Sequence, residues 1–229
     1  MKALAIDTSN YSLGVSIVDE GKVIGEYITN IKKNHSVRAM PAIDQLLTDC
    51  DLKPKDLEKI IVAKGPGSYT GVRIGVTIAK TLAWSLNIPI VGISSLEVAA
   101  AAGRHFPGYI CPFFDARRGQ VYTGVYKYEN DQLINIMEDQ NVLLVDLLEQ
   151  LKVLNESILF ISSDIDIHWE SIEKALGKQA VCPAITERNP RPSELALLGL
   201  DKEGENVHTL VPNYIRLAEA EVKWLERNK

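Results

Sequence analysis

The stretch Ala3-Leu4-Ala5-Ile6-Asp7-Thr8-Ser9-Asn10 is a short apolar run that stops at an acidic residue and a polar turn, and the pattern returns later in the chain. Tyr109 to Phe114 is again apolar and ends at Asp115, followed by the turn Ala116-Arg117-Arg118-Gly119. What comes after each turn also matches. Leu13 to Val18 is rich in β-branched residues, Asp19-Glu20-Gly21-Lys22 has hairpin-turn composition, and Val23 to Ile28 reads as a third strand. In the second copy Gln120 to Tyr126, the turn Glu129-Asn130-Asp131-Gln132 and Leu133 to Met137 repeat that order. Asp115 thus holds in the second meander the place of Asp7 in the first. A repeat this long predicts two halves that each open on a three-stranded meander. The boundary falls near Arg104–Pro107, giving subdomains over 1–104 and 105–229.

Between the meanders, strand and helix signals alternate, which indicates an α/β fold with mixed sheets flanked by helices. Val37, Met40, Ile43, Leu47 and Cys50 recur at spacings of three and four. Pro41 leaves two readings open: a helix from about Met40 with Pro41 in its first turn, or one from Ser36 that bends at Pro41. Lys59 to Ala63 reads as a strand, and Gly65-Pro66-Gly67-Ser68-Tyr69-Thr70-Gly71 leads into a helix ending near Leu86. Ile88 to Ile93 is a buried strand, and Ser94 or Ser95 caps a helix over Leu96 to Ala102. The second half continues with a helix over Val142 to Leu151, a strand over Ile158 to Ser162 and a helix around Trp169 to Leu176. Ser193 is expected to cap a helix from Glu194, and a charged tail runs from Glu219 to Lys229.

The 229 residues are 46% hydrophobic and carry a net charge of −5. That is enough apolar residue for a packed core, and the charge excludes a protein that grips nucleic acid by basicity alone. No apolar run approaches the ~18 residues of a membrane span, and Asp7 comes too early for a secretory leader. Cys50, Cys111 and Cys182 are dispersed, as expected of reduced, buried thiols in a cytoplasmic protein.

Gly65-x-Gly67-x-x-x-Gly71 misses the dinucleotide spacing by one residue and lacks the Gly-Lys-[Ser/Thr] ending of a P-loop. In the helix that follows, Val72, Val76, Ala79, Ala83 and Leu86 fall on one stripe, and Ile74, Ile78 and Leu82 on the next. The apolar and small arc spans ~200°, about twice what one covered face needs. Gly71, Gly75 and Ala79 would admit a second backbone, either from the chain's own core or from a partner. A charge at Ile74 or Val76 is then expected to abolish partner binding. His35 has Ala39, not a second histidine, four residues on, so no metal site is expected.

A strand ending in Asp-Thr-Ser before a hairpin, present twice, resembles the actin, sugar-kinase and Hsp70 ATPase superfamily. In that duplicated fold the two turns face a nucleotide cleft. The resemblance makes Asp7, Thr8, Ser9, Asp115, Arg117 and Arg118 a vestigial nucleotide cleft, since the usual glycine after the first Asp is missing and the second turn is bulky. It also leaves an alternative, an ATP-binding phosphotransferase or ATPase of that superfamily.

Over most of its length the chain resembles the TsaB family (older name YeaZ). The resemblance rests on Leu4 to Ser9, Asn34-His35-Ser36, Met40 to Leu47, Gly65 to Gly75, Phe114 to Tyr122 and Pro212-Asn213-Tyr214-Ile215-Arg216. It implies a non-catalytic scaffold, paralogous to TsaD, that binds TsaD and through it TsaE. Their complex transfers a threonylcarbamoyl group to N6 of the adenosine just after the anticodon, in tRNAs reading codons that begin with A. No cofactor is then expected on this chain alone; ATP and metal belong to the partner subunits, tRNA is met through the complex, and the isolated chain pairs with itself. The family's interface helices correspond here to His35–Cys50 and Gly71–Leu86. The expected contact residues are His35, Arg38, Met40, Ile43, Leu47, Gly71, Val72, Ile74, Gly75, Val76, Ile78, Ala79 and Leu82.

Overall fold

In the computed structural model, which describes residues 1–31 and 33–215, the repeat appears as two sheets of one topology. Strands β1 (Lys2–Asp7), β2 (Leu13–Asp19) and β3 (Lys22–Thr29) form the first antiparallel meander. β4 (Lys59–Ala63) and β5 (Ile90–Ile93) add in parallel, giving the order β3-β2-β1-β4-β5. The second sheet repeats this with β6 (Tyr109–Asp115), β7 (Gln120–Glu129), β8 (Gln132–Leu143), β9 (Ile158–Ile161) and β10 (Ala180–Val181), in the order β10-β9-β6-β7-β8. Asp7 and Asp115 each end the strand at the centre of their sheet. Both hairpins turn through consecutive residues at positive φ, Glu20-Gly21 and Asn130-Asp131, the backbone hand that suits a twisted hairpin.

Helix α1 (Ala39–Asp49) follows β3, and α2 (Tyr69–Leu86) follows β4. α3 (Ser95–Ala100) links the halves; α4 (Leu144–Lys152) and α5 (Ile165–Leu176) repeat α1 and α2 in the second half. α6 (Pro192–Leu200) comes last. Successive side chains of β1 point to opposite faces. Leu4 and Ile6 pack with α1 and α2 residues such as Ile43, Leu47, Val72 and Val76. Ala3 and Ala5 pack with Leu195 and Ala196 of α6. Although it lies beyond residue 105, α6 is therefore a layer of the first sheet.

The structure resolves the Pro41 question. A 3-10 turn over His35–Val37 comes first, and α1 then starts at Ala39 with Pro41 in its first turn, where no N–H is needed. Several limits differ from the sequence expectation. β5 begins at Ile90, not Ile88. β8 runs on to Leu143 because β7 pairs with it along its whole length, so α4 starts at Leu144. α5 starts at Ile165. Ser193 does not cap α6: the helix begins at Pro192, and the Ser193 N–H (3.0 Å) and hydroxyl (2.6 Å) both donate to Glu26 Oε1 on β3. Ser94, not Ser95, caps α3, accepting from the N–H groups of Leu96 and Glu97. Of the thiols, Cys111 is buried as expected and Cys50 partly so, but Cys182 is exposed. The charged tail from Glu219 and the matching residue Arg216 lie outside the described residues.

Candidate functional site

The first turn is closed by the chain's own backbone. Asp7 Oδ1 accepts from the Ser9 N–H at 2.8 Å and the Ser9 hydroxyl at 2.7 Å. Burial pushes the Asp7 carboxyl above its usual range, and those two bonds and the nearby His35 only partly oppose it. The Thr8 hydroxyl donates to the Gly71 carbonyl at 2.7 Å, and the Ser68 N–H to the Ser9 carbonyl at 2.7 Å. Asp7, Thr8 and Ser9 are all buried. The glycine spacing follows from this contact. A Cβ at Gly67 would lie 2.2 Å from the Ser9 carbonyl oxygen, one at Gly71 2.2 Å from that of Thr8, and one at Gly75 2.4 Å from Thr8 Oγ1. The glycine loop and the start of α2 therefore occupy the space over the turn.

The second turn is built differently. The Asp115 N–H donates to Asp164 Oδ2 at 3.1 Å, and Asp115 Oδ1 accepts from His168 Nε2–H at 2.9 Å. Arg117, Arg118 and Gly119 are exposed and stand consecutively at positive φ. His168 is a site residue that no local pattern marks. It sits isolated in sequence, and only the packing of α5 against β6 brings it to Asp115.

The expected partner residues divide by burial. Ile43, Leu47, Val72, Val76 and Ala79 are core side chains, and Gly71 and Gly75 lie against Thr8. Val76 is 4% exposed, so a charge there breaks the core rather than an interface. Met40 is exposed, and His35, Arg38, Ile74, Ile78 and Leu82 are partly exposed. His35 Nε2–H donates to the Asn10 carbonyl at 2.8 Å and Arg38 donates to the Thr29 hydroxyl, tying the 3-10 turn to the first meander. Two exposed aromatics on α2, Tyr69 and Trp84 (67% exposed), were not among the expected contacts. The Arg73 guanidinium stacks 3.9 Å over the Tyr69 ring, and its Nε–H donates to the Tyr214 hydroxyl at 2.5 Å. The segments Gly65 to Gly75 and Pro212 to Ile215, distant in sequence, thus meet at the head of α2.

Among the described residues no cluster of three or more His, Cys, Asp or Glu side chains is placed to hold a metal, and no helix is long and apolar enough to cross a membrane.

Comparison with known proteins agrees with this fold. Residues 22–224 match the family model described as TsaD, tRNA N6-adenosine threonylcarbamoyltransferase. Over 229 residues, 100% of both chains, the sequence is 61% identical to the tRNA threonylcarbamoyladenosine biosynthesis protein TsaB of Bacillus subtilis. YeaZ from Pseudomonas aeruginosa superposes with a TM-score of 0.77 at 23% identity, over 93% of this chain and 99% of that one. A ROK hexokinase from Thermus thermophilus superposes with a TM-score of 0.52 at 10% identity, over 88% and 100%. The two structures are likenesses of fold: this chain shares the overall architecture of that YeaZ and of that hexokinase. On sequence, over its full length, the chain belongs to the TsaB family, whose role is in tRNA threonylcarbamoyladenosine biosynthesis.

Proposed function

We propose that this chain is a non-catalytic scaffold in tRNA threonylcarbamoylation, binding a TsaD-type transferase, and TsaE with it, through the face formed by α1 and α2. The observation that carries the reading is the closed first turn. A phosphotransferase of this fold needs its turn amides and its Asp facing a phosphate or metal. Here the Asp7 carboxylate is bonded to Ser9 in a buried setting, and α2 lies directly on Thr8. The same packing seats α2 on the first turn, with Ile74 partly exposed, Ile78 and Leu82 partly exposed at the margin of the core, and Met40 exposed on α1. A seated helix pair with part of its apolar surface uncovered suits partner binding. The isolated chain, lacking its partner, is expected to pair with itself over that surface and to have no activity of its own.

The test is size-exclusion chromatography with light scattering, on the chain alone and mixed with the TsaD-type protein of the same organism. The expected result is a self-dimer that converts to a one-to-one complex. Ile74→Glu is expected to weaken that complex by at least about 2 kcal/mol, roughly thirtyfold, with the melting temperature kept. Full affinity in Ile74→Glu moves the interface elsewhere. Absence of any complex, together with micromolar Mg-ATP binding by the isolated chain, favours the ATPase reading instead.

A further inference from the structure

A cavity of about 460 Å³ opens between the start of α3 and strand β8. That volume suits a small organic molecule. Glu97 of α3 and Glu138 and Asp139 of β8 line it, together with Tyr126 of β7 and the apolar side chains of Leu133 and Ile215. No lysine or arginine is among its described lining residues.

Neighbours in a regular strand point to opposite faces, so Glu138 and Asp139 would not share one cavity. A bulge brings them together. Thr123 of β7 pairs with Gln140 and Val125 pairs with Met137, which leaves Gly124 alone opposite both acids. A Cβ at Gly124 would lie 2.7 Å from Asp139 Oδ1, so a larger residue there would push the carboxyl aside. The Tyr126 and Ser94 hydroxyls donate to the two oxygens of that carboxyl and fix its aim.

Those bonds orient the charge without neutralising it. Burial pushes the Asp139 carboxyl above its usual range, the two hydroxyls only partly oppose this, and Glu97 and Glu138 add to it. Among the described residues Glu97 has a counter-ion, Lys202 Nζ at 3.1 Å, while Glu138 and Asp139 have none. The three acids are also not gathered as a metal site: no cluster of three such side chains among the described residues is placed to hold an ion. Separate carboxylates beside an apolar wall suit an extended organic cation. Its ammonium groups reach different acids, and its methylenes lie along Leu133 and Ile215. We propose that this cavity binds an alkyl polyamine, with its ammonium groups paired to Asp139 and Glu138. The site belongs to the second sheet and does not depend on the face formed by α1 and α2, so its loss would leave the scaffold reading as it stands.

The experiment is isothermal titration calorimetry of the full chain with spermidine at low salt. Saturable one-to-one binding with a Kd below about 1 mM is expected. Glu138 is exposed, so Glu138→Gln removes a charge without touching the core; it is expected to weaken binding at least about threefold. Asp139→Asn keeps an oxygen for the two hydroxyls and is expected to weaken it at least about tenfold. Thermal melts check that both variants fold. Hexane-1,6-diol, which has a comparable chain and no charge, is expected to give no heat of binding. The absence of saturable heat up to about 10 mM spermidine overturns the proposal, as does unchanged affinity in both variants. Displacement of spermidine by an equal concentration of magnesium chloride overturns it in favour of general charge attraction. Tighter binding of Nα-acetyl-lysine methylamide than of spermidine gives the cavity to a lysine of a protein partner. Arg216 follows Ile215 in sequence, and binding that appears only in Arg216→Gln gives the cavity to the chain's own arginine; both outcomes overturn a polyamine site.

Discussion

The hydroxyl of Thr8 donates a 2.7 Å hydrogen bond to the carbonyl of Gly71, and a Cβ on Gly71 would lie 2.2 Å from the Thr8 carbonyl oxygen. The turn that ends β1 and the helix that follows β4 are therefore one packed unit. In an ATPase of this fold that turn faces a ligand. Here it seats α2, so the geometry of the proposed partner face depends on the identity of residue 8.

This contact predicts a specific non-additivity. Gly75→Ala puts a Cβ 2.4 Å from Thr8 Oγ1, while the next Thr8 atom is 3.7 Å away, an ordinary contact. The substitution is expected to cost about 1–3 kcal/mol as overpacking. In a Thr8→Ala background the clashing oxygen is gone, and the better helix propensity of alanine, worth about 1 kcal/mol, makes Gly75→Ala stabilising. Gly71→Ala collides with the Thr8 backbone, so its cost persists in both backgrounds. Urea midpoints of the double-mutant cycle check this; a cost for Gly75→Ala that is the same in both backgrounds contradicts the packing.

The sequence carried the architecture through features that repeat. The two meanders, each ended by an Asp and a turn, were legible because strand alternation and hairpin composition are local signals. The buried stripe of α2 was legible from its period. The destination of its glycines was not, because Gly71 and Gly75 admit any close backbone, and only the sheet topology brings Thr8 there. Likewise Ser193 reads as a helix cap, yet it bonds Glu26 from a strand far away in sequence. His168 stands opposite Asp115 for the same reason: partners that meet only by tertiary packing leave no spacing to read.

Glu26 should make the protein acid-sensitive. Burial alone would raise its carboxyl, but bonds from Arg191 and from the hydroxyl and N–H of Ser193 outweigh it and hold the group below its usual range. A carboxyl lowered on folding adds stability above its unfolded value of 4.5, and that stability is lost as pH falls through the folded value. Glu26→Gln is expected to melt lower than the parent at neutral pH, with the gap closing in acid. A gap that stays constant with pH argues that the Arg191 and Ser193 contacts do not depend on the charge.

Thiol reactivity should follow burial. Cys182 is exposed and is expected to react with Ellman's reagent in the native protein within minutes. Cys111 is buried, and burial pushes its thiol up to about 12 despite the bond to Thr123. At neutral pH it is neither accessible nor ionised, so it should react only after unfolding. Cys182→Ser is then expected to remove most of the fast native signal, and a fast phase that survives it would assign the reactivity to Cys50 or to an opened core.

Asp7 is the counterpart of Glu26 with the opposite sign. Its carboxyl is raised from 3.8 by burial, only partly offset by the two Ser9 bonds and by His35. The folded chain therefore holds the Asp7 proton more tightly than the unfolded chain does. Below 3.8 both states are protonated and ionisation costs nothing. As pH rises through the folded value, the buried carboxylate must form, and stability falls. Asp7→Asn keeps an oxygen to accept from Ser9 and removes the charge. Measured by urea unfolding from pH 4 to 8, the stability of the parent relative to Asp7→Asn should decline as pH rises and then level off. Were Asp7 instead an open ligand site stabilised as the anion, its titration would fall below 3.8 and the parent would stay nearly level with the variant over the same range. The decline or its absence therefore distinguishes a sealed turn from a working one.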